Sequence, residues 1–302
     1  MTQPSALDRH QVTIYLGALA AGWLLGWAVP GVGGPLSHAV SPVLGVLLYV
    51  TFLQVPVRDL VRTPPDWRFL AAVLVVNFVV VPLVVTALLP LTPADRVVRL
   101  GVLLVLLCPC VDYVIVFSGL AGGGHRLAAA TPLLLVAQLV LLPGYLLLFL
   151  GPSGADVVSA GPFLRAFAFV VAIPLVLAWA TQTWAPKVGD AAGVTMVPLL
   201  ALTLCCVVAA QAGRLSAGLL RVVPVYALFL VVMVGLGAVL SRVFRLAVPD
   251  GRSVAFSGAT RNSLVVLPLA LAAGAGQVVV AQTLVEVVGM VLCVRIVPKL
   301  VR

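Results

Sequence analysis

The chain has 302 residues, of which 63% are apolar and only 9% are charged, and its formal net charge is +9. A soluble domain carries about 25% charged residues, so this composition excludes a water-soluble globule, and the apolar content excludes a disordered chain. The basic residues stand singly between apolar runs, without the clustered basic patch of a nucleic-acid-binding protein. The composition therefore predicts a protein with several transmembrane helices and no nucleic-acid partner.

Ten apolar runs are long enough to cross a bilayer when the sequence is averaged over a 19-residue window. They cover approximately residues 11–29, 38–55, 68–90, 97–119, 127–150, 160–181, 192–211, 222–245, 251–272 and 277–298. The first run is longer than the apolar region of a signal peptide and further runs follow at once, so we expect a retained helix. With both termini inside, the inside segments hold 12 Lys and Arg and the outside segments hold 5. This asymmetry predicts a multi-pass protein of the cytoplasmic (plasma) membrane, N-in and C-in.

The two halves of the chain are alike in where their spans are interrupted. The fourth span contains Cys108-Pro109-Cys110, and the ninth contains Ser257-Gly258-Ala259-Thr260, about 150 residues further on. Paired interruptions of this kind point to the binding site of a transporter, although Pro109 and Gly258 could instead only kink two ordinary helices. We therefore predict an all-α membrane protein of two inverted five-helix repeats, with discontinuous, crossing helices 4 and 9. The repeats are placed at residues 1–150 and 151–302.

Three charged residues fall near the middle of predicted spans, namely Asp112, Arg261 and Glu286. A charge inside a bilayer costs at least a few kcal/mol, so such residues normally face a cavity or one another. Asp112 and Arg261 belong to the two interrupted spans, and we predict that they form an intramembrane ion pair. Glu286 is the single glutamate of the chain, and a carboxylate at membrane depth can take up and release protons. We assign it to proton coupling, the simpler alternative being a polar contact between helices.

Cys110 is the candidate soft ligand of the fourth span, because thiolates select thiophilic species. The alternative is that it is a small packing residue, which is how we interpret Cys205, Cys206 and Cys293. The three histidines are too scattered for a metal site, no phosphate-binding loop follows a strand, and no nucleophilic triad occurs at membrane depth. We therefore predict a protein that is not an enzyme, uses neither metal nor cofactor, and is not driven by ATP.

Short segments of three spans follow a recognisable pattern. They are Cys108-Pro109-Cys110 with Ser118 and Gly122-Gly123-Gly124, then Arg252-Ser253-Val254 with Arg261-Asn262-Ser263, and finally Leu284-Val285-Glu286-Val287. This pattern resembles the arsenite-efflux permeases of the bile acid/sodium symporter superfamily. The resemblance implies a ten-helix inverted repeat with a panel and a core domain. It also implies that Cys110 contacts arsenite, that Ser118 and Asn262 belong to the substrate site, and that Glu286 carries the exchanged proton.

The same resemblance bears on the coupling ion. Sodium-coupled members of the superfamily use a Ser-Asn pair in the fourth span, where this chain has Val114 and Ile115. These side chains cannot ligate a cation that requires oxygen ligands. The ninth-span glutamate and glutamine of those members correspond to Ser257 and Arg261, so a fixed guanidinium replaces the bound cation. We therefore expect protons, and not sodium, to be the coupling ions.

The predicted function is a proton-coupled secondary carrier that exports arsenite or antimonite. The chain departs from the resemblance at Asp112 and Arg261, where arsenite permeases usually have neutral residues, and at Val288, where a proline is frequent. One alternative is therefore a carrier of an organic anion or other metabolite, with Arg261 as its carboxylate anchor. An uncoupled channel is a second alternative, and an intramembrane enzyme is a third.

Overall fold

The described residues of the chain are helical and form no β-strand. A computed structural model describes residues 6–29, 31–53, 66–110, 113–124, 126–151, 169, 172–185, 187–212 and 221–302. Numbered in chain order, its helices are α1 (Ala6–Ala28), α2 (Gly33–Leu53), α3 (Trp67–Leu91), α4 (Arg96–Leu106), α5 (Tyr113–Leu120), α6 (Arg126–Leu150), α7 (Ile173–Trp184), α8 (Lys187–Ala212), α9 (Val223–Val243), α10 (Val248–Ala259), α11 (Ser263–Ala272) and α12 (Gly276–Leu300). The all-α prediction is confirmed for these residues, while the inverted repeat remains a prediction.

Several helices have the length and apolar character of membrane spans. Within the described ranges, α3, α9 and α12 each meet both criteria without interruption. Helix α6 is a fourth candidate, since its arms Arg126–Gln138 and Val140–Leu150 meet at 49°. The bend lies four residues before Pro143, whose ring displaces the carbonyl of the preceding turn and removes one helical hydrogen bond. These helices agree with the prediction of a membrane protein.

Helix starts in this chain follow ordinary capping chemistry. Asp66 precedes α3 and its carboxylate accepts a hydrogen bond from the Arg68 amide, while Asp95 precedes α4 and accepts from the Val98 amide. Both contacts satisfy amide groups that have no partner within the first helical turn. Prolines stand in the first turn of α7, α9 and α10, where a missing N–H costs nothing. Local sequence therefore fixes where these helices begin.

The described residues fall into two compact units. Unit one comprises residues 1–54 and 164–216 and contains α1, α2, α7 and α8. Its helices pack closely: a Cβ added to Gly22 on α1 would lie 2.5 Å from the Cys205 carbonyl oxygen on α8. Tyr49 and Thr181 share a hydrogen bond of 2.9 Å between α2 and α7. Small residues at such contacts are typical of helices that associate in a membrane.

Unit two comprises residues 55–163 and 217–302 and contains α3 to α6 and α9 to α12. Each unit therefore takes helices from both halves of the chain. The boundary predicted between residues 150 and 151 divides the sequence differently, because it separates repeats in sequence rather than packed units. The two descriptions are compatible, and the repeat boundary stays a prediction. All the helices next to the two predicted interruptions belong to unit two.

Helix α3 contains one π-helical turn, Val76–Val80. Pro82 follows it and has no amide hydrogen to donate to the Phe78 carbonyl, four residues earlier. The hydroxyl of Tyr145 on α6 donates a hydrogen bond to that carbonyl oxygen instead. A π turn adds a residue to the helical turn and is common at functional sites. Here the turn contains Asn77, a buried side chain of the site described below.

Candidate functional site

The two helix interruptions of unit two pair with each other. One lies between α4 and α5, and the other is the non-helical segment 260–262 between α10 and α11. Pro109 and Arg261 form an isolated antiparallel β-bridge, and the Asn262 amide donates to the Cys108 carbonyl oxygen at 2.8 Å. Backbone groups released by one interruption are thus satisfied by the other. The structure brings together the two segments that the sequence singled out.

The second interruption lies slightly later than expected. The sequence indicated residues 257–260, but α10 continues to Ala259 and the non-helical residues are Thr260, Arg261 and Asn262. Gly258 is thus the penultimate residue of α10 and not part of the break. A Cβ at Gly258 would lie 2.7 Å from Val76 Cγ2. The glycine therefore serves the close approach of α10 to α3, whereas Pro109 does lie within the first interruption.

The guanidinium of Arg261 caps the ends of both interrupted helices. Its Nη2 donates to the carbonyl oxygens of Ser257 at 2.6 Å and Gly258 at 2.9 Å, in the last turn of α10. Its Nη1 donates to the Leu106 carbonyl oxygen, the end of α4, at 3.3 Å. The side chain is 0% exposed, and its ring neighbour is Phe229, whose centroid lies 5.7 Å from Cζ.

Electrostatics explains this position for a buried cation. The carboxyl end of a helix carries about half an elementary negative charge, because its last carbonyl groups have no helical partner. Helices α4 and α10 both point such an end at Arg261. One guanidinium therefore compensates two helix ends and satisfies carbonyl groups that would cost about 1–3 kcal/mol each if left unpaired.

Asn77 is a further partner of the Arg261 guanidinium, and its role was not predicted from the sequence. Its Oδ1 accepts from Arg261 Nη2 at 2.8 Å, while its Nδ2 donates to Ser257 Oγ at 2.8 Å and to the Val73 carbonyl oxygen at 2.9 Å. Both ends of the amide are therefore used. A signal was present in the sequence: Asn77 is a polar residue deep inside the apolar run 68–90. Averaging hydropathy over the run concealed it.

Glu286 of α12 is held by the second interruption. Its Oε1 accepts from the Arg261 main-chain amide at 2.8 Å, and its Oε2 accepts from Gln282 Nε2, one helical turn earlier. The residue is 1% exposed. Glu286 was singled out from sequence, whereas Gln282 was not, although its spacing of four residues places it on the same helix face. The predicted proton carrier is therefore in direct contact with the second interruption as the structure places it.

Three polar atoms beside these residues have no hydrogen-bond partner among the described residues. They are Asn262 Nδ2, Ser263 Oγ and Gln282 Oε1, and each belongs to a buried side chain. The other amide atom of Asn262, Oδ1, accepts from the Val265 amide and so caps α11. Buried polar atoms are nearly always satisfied in folded proteins. The three atoms are a donor, a hydroxyl and an acceptor next to the second interruption and on α12.

The residues expected to pair or to bind arsenite are placed as follows. Cys110 is fully buried, two residues after the carbonyl that Asn262 contacts. Asp112 lies outside the described residues, and with it the predicted ion pair to Arg261. Among the residues that the structure does describe, no cluster of three or more His, Cys, Asp or Glu could hold a metal ion.

Ser118 lies away from the interruption, in the last turn of α5. Its hydroxyl shares a hydrogen bond of 3.0 Å with Ser253 of α10, and Ser253 Oγ also accepts from the Gly124 amide at 2.9 Å. A Cβ on Gly123 would collide with Ser118 Oγ, which accounts for glycine in this loop. These contacts attach the glycine-rich loop to α10. They offer a structural explanation for Ser118, in addition to the expected substrate contact.

Buried polar groups at two paired helix interruptions are typical of membrane transporters. The Sodium Bile acid symporter family matches residues 41–221, more than half of the chain. The chain belongs to this family, whose members are transporters and not enzymes. The match includes the first interruption and ends before the second. A search of curated proteins finds no significant match.

Proposed function

We propose that this transporter is a proton-coupled secondary carrier that exports arsenite or antimonite across the cytoplasmic membrane. The observation that carries the proposal is the contact of the buried Glu286 carboxylate with the Arg261 amide, inside the interruption that pairs with Cys108-Pro109-Cys110. A group able to exchange a proton is thereby linked to a thiol-bearing segment through two main-chain contacts. Protonation of Glu286 can therefore alter the geometry of the segment Cys108-Pro109-Cys110, and substrate binding at that segment can alter the geometry around Glu286.

Cys110 is the proposed substrate ligand. Neutral As(OH)₃ reaches the interruption, an As–S bond forms as one As–O bond breaks, and the thiol proton leaves with the hydroxide as water. The reverse exchange with water releases As(OH)₃ on the far side, so arsenic stays trivalent throughout. A thiol prefers such a soft centre to hard oxyanions. Asn262 supplies a hydrogen-bond donor, Nδ2, next to this segment.

Arg261 supports the proposal that sodium does not drive this carrier. Unwound carbonyl groups and half-helix carboxyl ends are the groups that coordinate sodium in many secondary transporters. Here the guanidinium of the chain itself takes the carbonyl oxygens of Leu106, Ser257 and Gly258. A cation that is part of the protein cannot be released with substrate. The coupling ion must then act at a site other than these carbonyl oxygens, and we propose that it is a proton that binds Glu286.

The same contacts weigh against the organic-anion alternative. A carboxylate anchor must present its N–H groups to the substrate, whereas Arg261 is 0% exposed and its Nη2 already donates to three protein oxygens. Binding an anion there would require removing those contacts. We therefore favour a neutral hydroxylated substrate over an anion.

Arsenite uptake into everted vesicles tests this function. Wild-type vesicles made acid inside should accumulate arsenite, whereas vesicles with an imposed sodium gradient should not. Cys110→Ser should abolish accumulation, because a hydroxyl cannot replace a thiol toward arsenic. The matched control is Cys293→Ser, which alters another buried cysteine, on α12. Equal accumulation by Cys110→Ser and wild type, or accumulation driven by sodium, would overturn the proposal.

A further inference from the structure

The amide of Gln282 faces the carboxylate of Glu286 on α12. The two residues are four apart, both are buried, and Gln282 Nε2 donates to Glu286 Oε2. A neutral amide is an unusual partner for a buried carboxylate, because an Arg or Lys would hold the charge more firmly. An amide can also do what those side chains cannot, since it carries both donors and an acceptor.

The other carboxylate oxygen of Glu286 has a fixed partner. Oε1 accepts from the Arg261 main-chain amide at 2.8 Å. A main-chain N–H can only donate, so Oε1 must remain an acceptor whether or not the carboxyl group is protonated. The carbonyl oxygen of a protonated carboxyl group is a stronger acceptor than its hydroxyl oxygen, so the Arg261 amide at Oε1 favours protonation of Oε2, the atom that faces Gln282.

Within the described residues, Gln282 Oε1 has no hydrogen-bond partner. Rotation of the amide by 180° would exchange Oε1 and Nε2 without moving the side-chain stem. After rotation, the acceptor atom of Gln282 would face the protonated Oε2. Gln282 Nε2 contacts the ionised carboxylate, and Gln282 Oε1 would contact the protonated carboxyl group. In both protonation states, Glu286 Oε2 therefore has a hydrogen-bond partner.

We propose that Gln282 is a positioning residue that serves both protonation states of Glu286 by rotating its amide. The inference rests on the proposed function, in which Glu286 is the coupling group. On protonation, an O–H bond forms at Glu286 Oε2, and the hydrogen bond that Gln282 Nε2 donates to this oxygen breaks. A hydrogen bond from the new O–H group to Gln282 Oε1 replaces it. On release the proton returns to water, and the first hydrogen bond forms again. The exchange is thus balanced and needs no further reactant.

Other charged and titratable residues belong to α12 and to its neighbours. On the elements packed against it and on α12 itself, they are Arg96 and Arg99 on α4, Tyr113 on α5, Tyr226 and Arg242 on α9, Asp250 and Arg252 on α10, Arg261 in the interruption, and Cys293, Arg295 and Lys299 on α12. Arg261, whose main-chain amide contacts Glu286, directs its Nη atoms at Leu106, Ser257, Gly258 and Asn77. Both carboxylate oxygens of Glu286 accept hydrogen bonds, Oε1 from the Arg261 amide and Oε2 from Gln282 Nε2.

Infrared difference spectroscopy of the protein in lipid films, recorded between two pH values, tests this inference. Wild type should show the C=O band of a protonated carboxyl group, and Glu286→Gln should lack it. Gln282→Met should move that band to higher frequency, because the acid has lost its acceptor. It should also lower arsenite accumulation about tenfold, the cost of one hydrogen bond to a charged group. Gln138→Met, a change of another buried glutamine, on α6, should alter neither.

A second variant covers the case in which Gln282→Met fails to fold. Gln282→Glu keeps the shape of the side chain, but two ionised carboxylates cannot hydrogen-bond each other, whereas a shared proton restores the contact. Its transport should be retained at low pH and lost at high pH, and a pH profile identical to that of wild type would overturn the inference. A Glu286 band unaffected by Gln282→Met would do the same while leaving proton coupling intact. Absence of any Glu286-dependent band in wild type would overturn both the inference and the proposed function.

Discussion

Asn77 and Arg261 are separated by 184 positions in the chain, yet Asn77 Oδ1 accepts a hydrogen bond from Arg261 Nη2 at 2.8 Å. The contact joins the π-helical turn of α3 to the interruption between α10 and α11. Together with the carbonyl groups at the ends of α4 and α10, it gives the Nη atoms of a buried guanidinium four oxygen acceptors. The crossing of the interrupted helices is therefore organised around a cation that belongs to the chain.

Replacement of Arg261 should strongly destabilise unit two. Arg261→Ala removes the donors to Leu106, Ser257 and Gly258, and each buried carbonyl left unpaired costs about 1–3 kcal/mol. We expect a large fall in the midpoint of thermal unfolding in micelles, partly reversed by millimolar guanidinium ion. The control is Arg252→Ala, which removes donors to Ala121 and Val301 at the other end of α10. An Arg261→Ala midpoint within a few degrees of wild type would contradict this account.

Asp112 allows a separate test of charge balance. We predict an ion pair between Asp112 and Arg261, and removal of one partner of a buried pair is more harmful than removal of both. Asp112→Ala/Arg261→Ala should therefore retain more folded protein than Arg261→Ala alone, as measured by size-exclusion chromatography after extraction. Equal damage from the single and the double variant would show that Asp112 does not pair with Arg261.

Gly258 should be intolerant of a methyl group for reasons of packing. Its Cβ would lie 2.7 Å from Val76 Cγ2 and 3.2 Å from Met233 Cε. Overpacking of this kind costs about 1–3 kcal/mol, so Gly258→Ala should lower the unfolding midpoint. Adding Val76→Ala removes the obstructing methyl groups and should recover much of the loss. If the falls in unfolding midpoint caused by Gly258→Ala and Val76→Ala were additive, the close contact with Val76 would not be the cause of the destabilisation by Gly258→Ala.

The acidic residues around Arg126 should differ in importance. Arg126 Nη1 lies 2.8 Å from Asp250 Oδ2 and 3.0 Å from Asp66 Oδ2, with side-chain exposures of 9% for Asp250 and 38% for Asp66. An exposed pair contributes about 0–1 kcal/mol, and a charge-assisted hydrogen bond at a buried carboxylate about 1.5–3 kcal/mol. Asp250→Asn should therefore lower the unfolding midpoint more than Asp66→Asn, in which Asn still caps α3. A larger fall in the unfolding midpoint for Asp66→Asn than for Asp250→Asn would contradict this ranking of the two contacts.

The sequence predicted the general architecture because hydropathy and Pro/Gly punctuation are local properties. The predicted spans overlap helices, and the interruption at Cys108-Pro109-Cys110 was placed directly, since Pro109 has no amide hydrogen. The second interruption was placed slightly too early because Gly258 was read as a helix breaker. Its actual requirement, the close approach of Val76, depends on a helix about 180 positions away.

The partners of the buried polar residues could not be predicted in the same way. The predicted ion pair of Arg261 with Asp112 lies outside the described residues, whereas its contacts with carbonyl oxygens and the amide of Asn77 were not predicted. Helix ends supply negative potential without any acidic side chain, so the charge pattern of a sequence does not reveal them. Glu286 was identifiable because it is the chain's single glutamate, whereas Gln282 is a neutral residue whose role depends on that neighbour.

Proton coupling at Glu286 is tested most directly by arsenite transport in Glu286→Gln. The substituted amide can still accept from the Arg261 amide, so the fold should be retained, while the side chain no longer takes up or releases a proton. In everted vesicles made acid inside, wild type should accumulate arsenite and Glu286→Gln should not. The variant should still exchange external for internal arsenite without a gradient, which shows that the carrier is intact. Accumulation by Glu286→Gln that follows the pH gradient as in wild type would contradict the account.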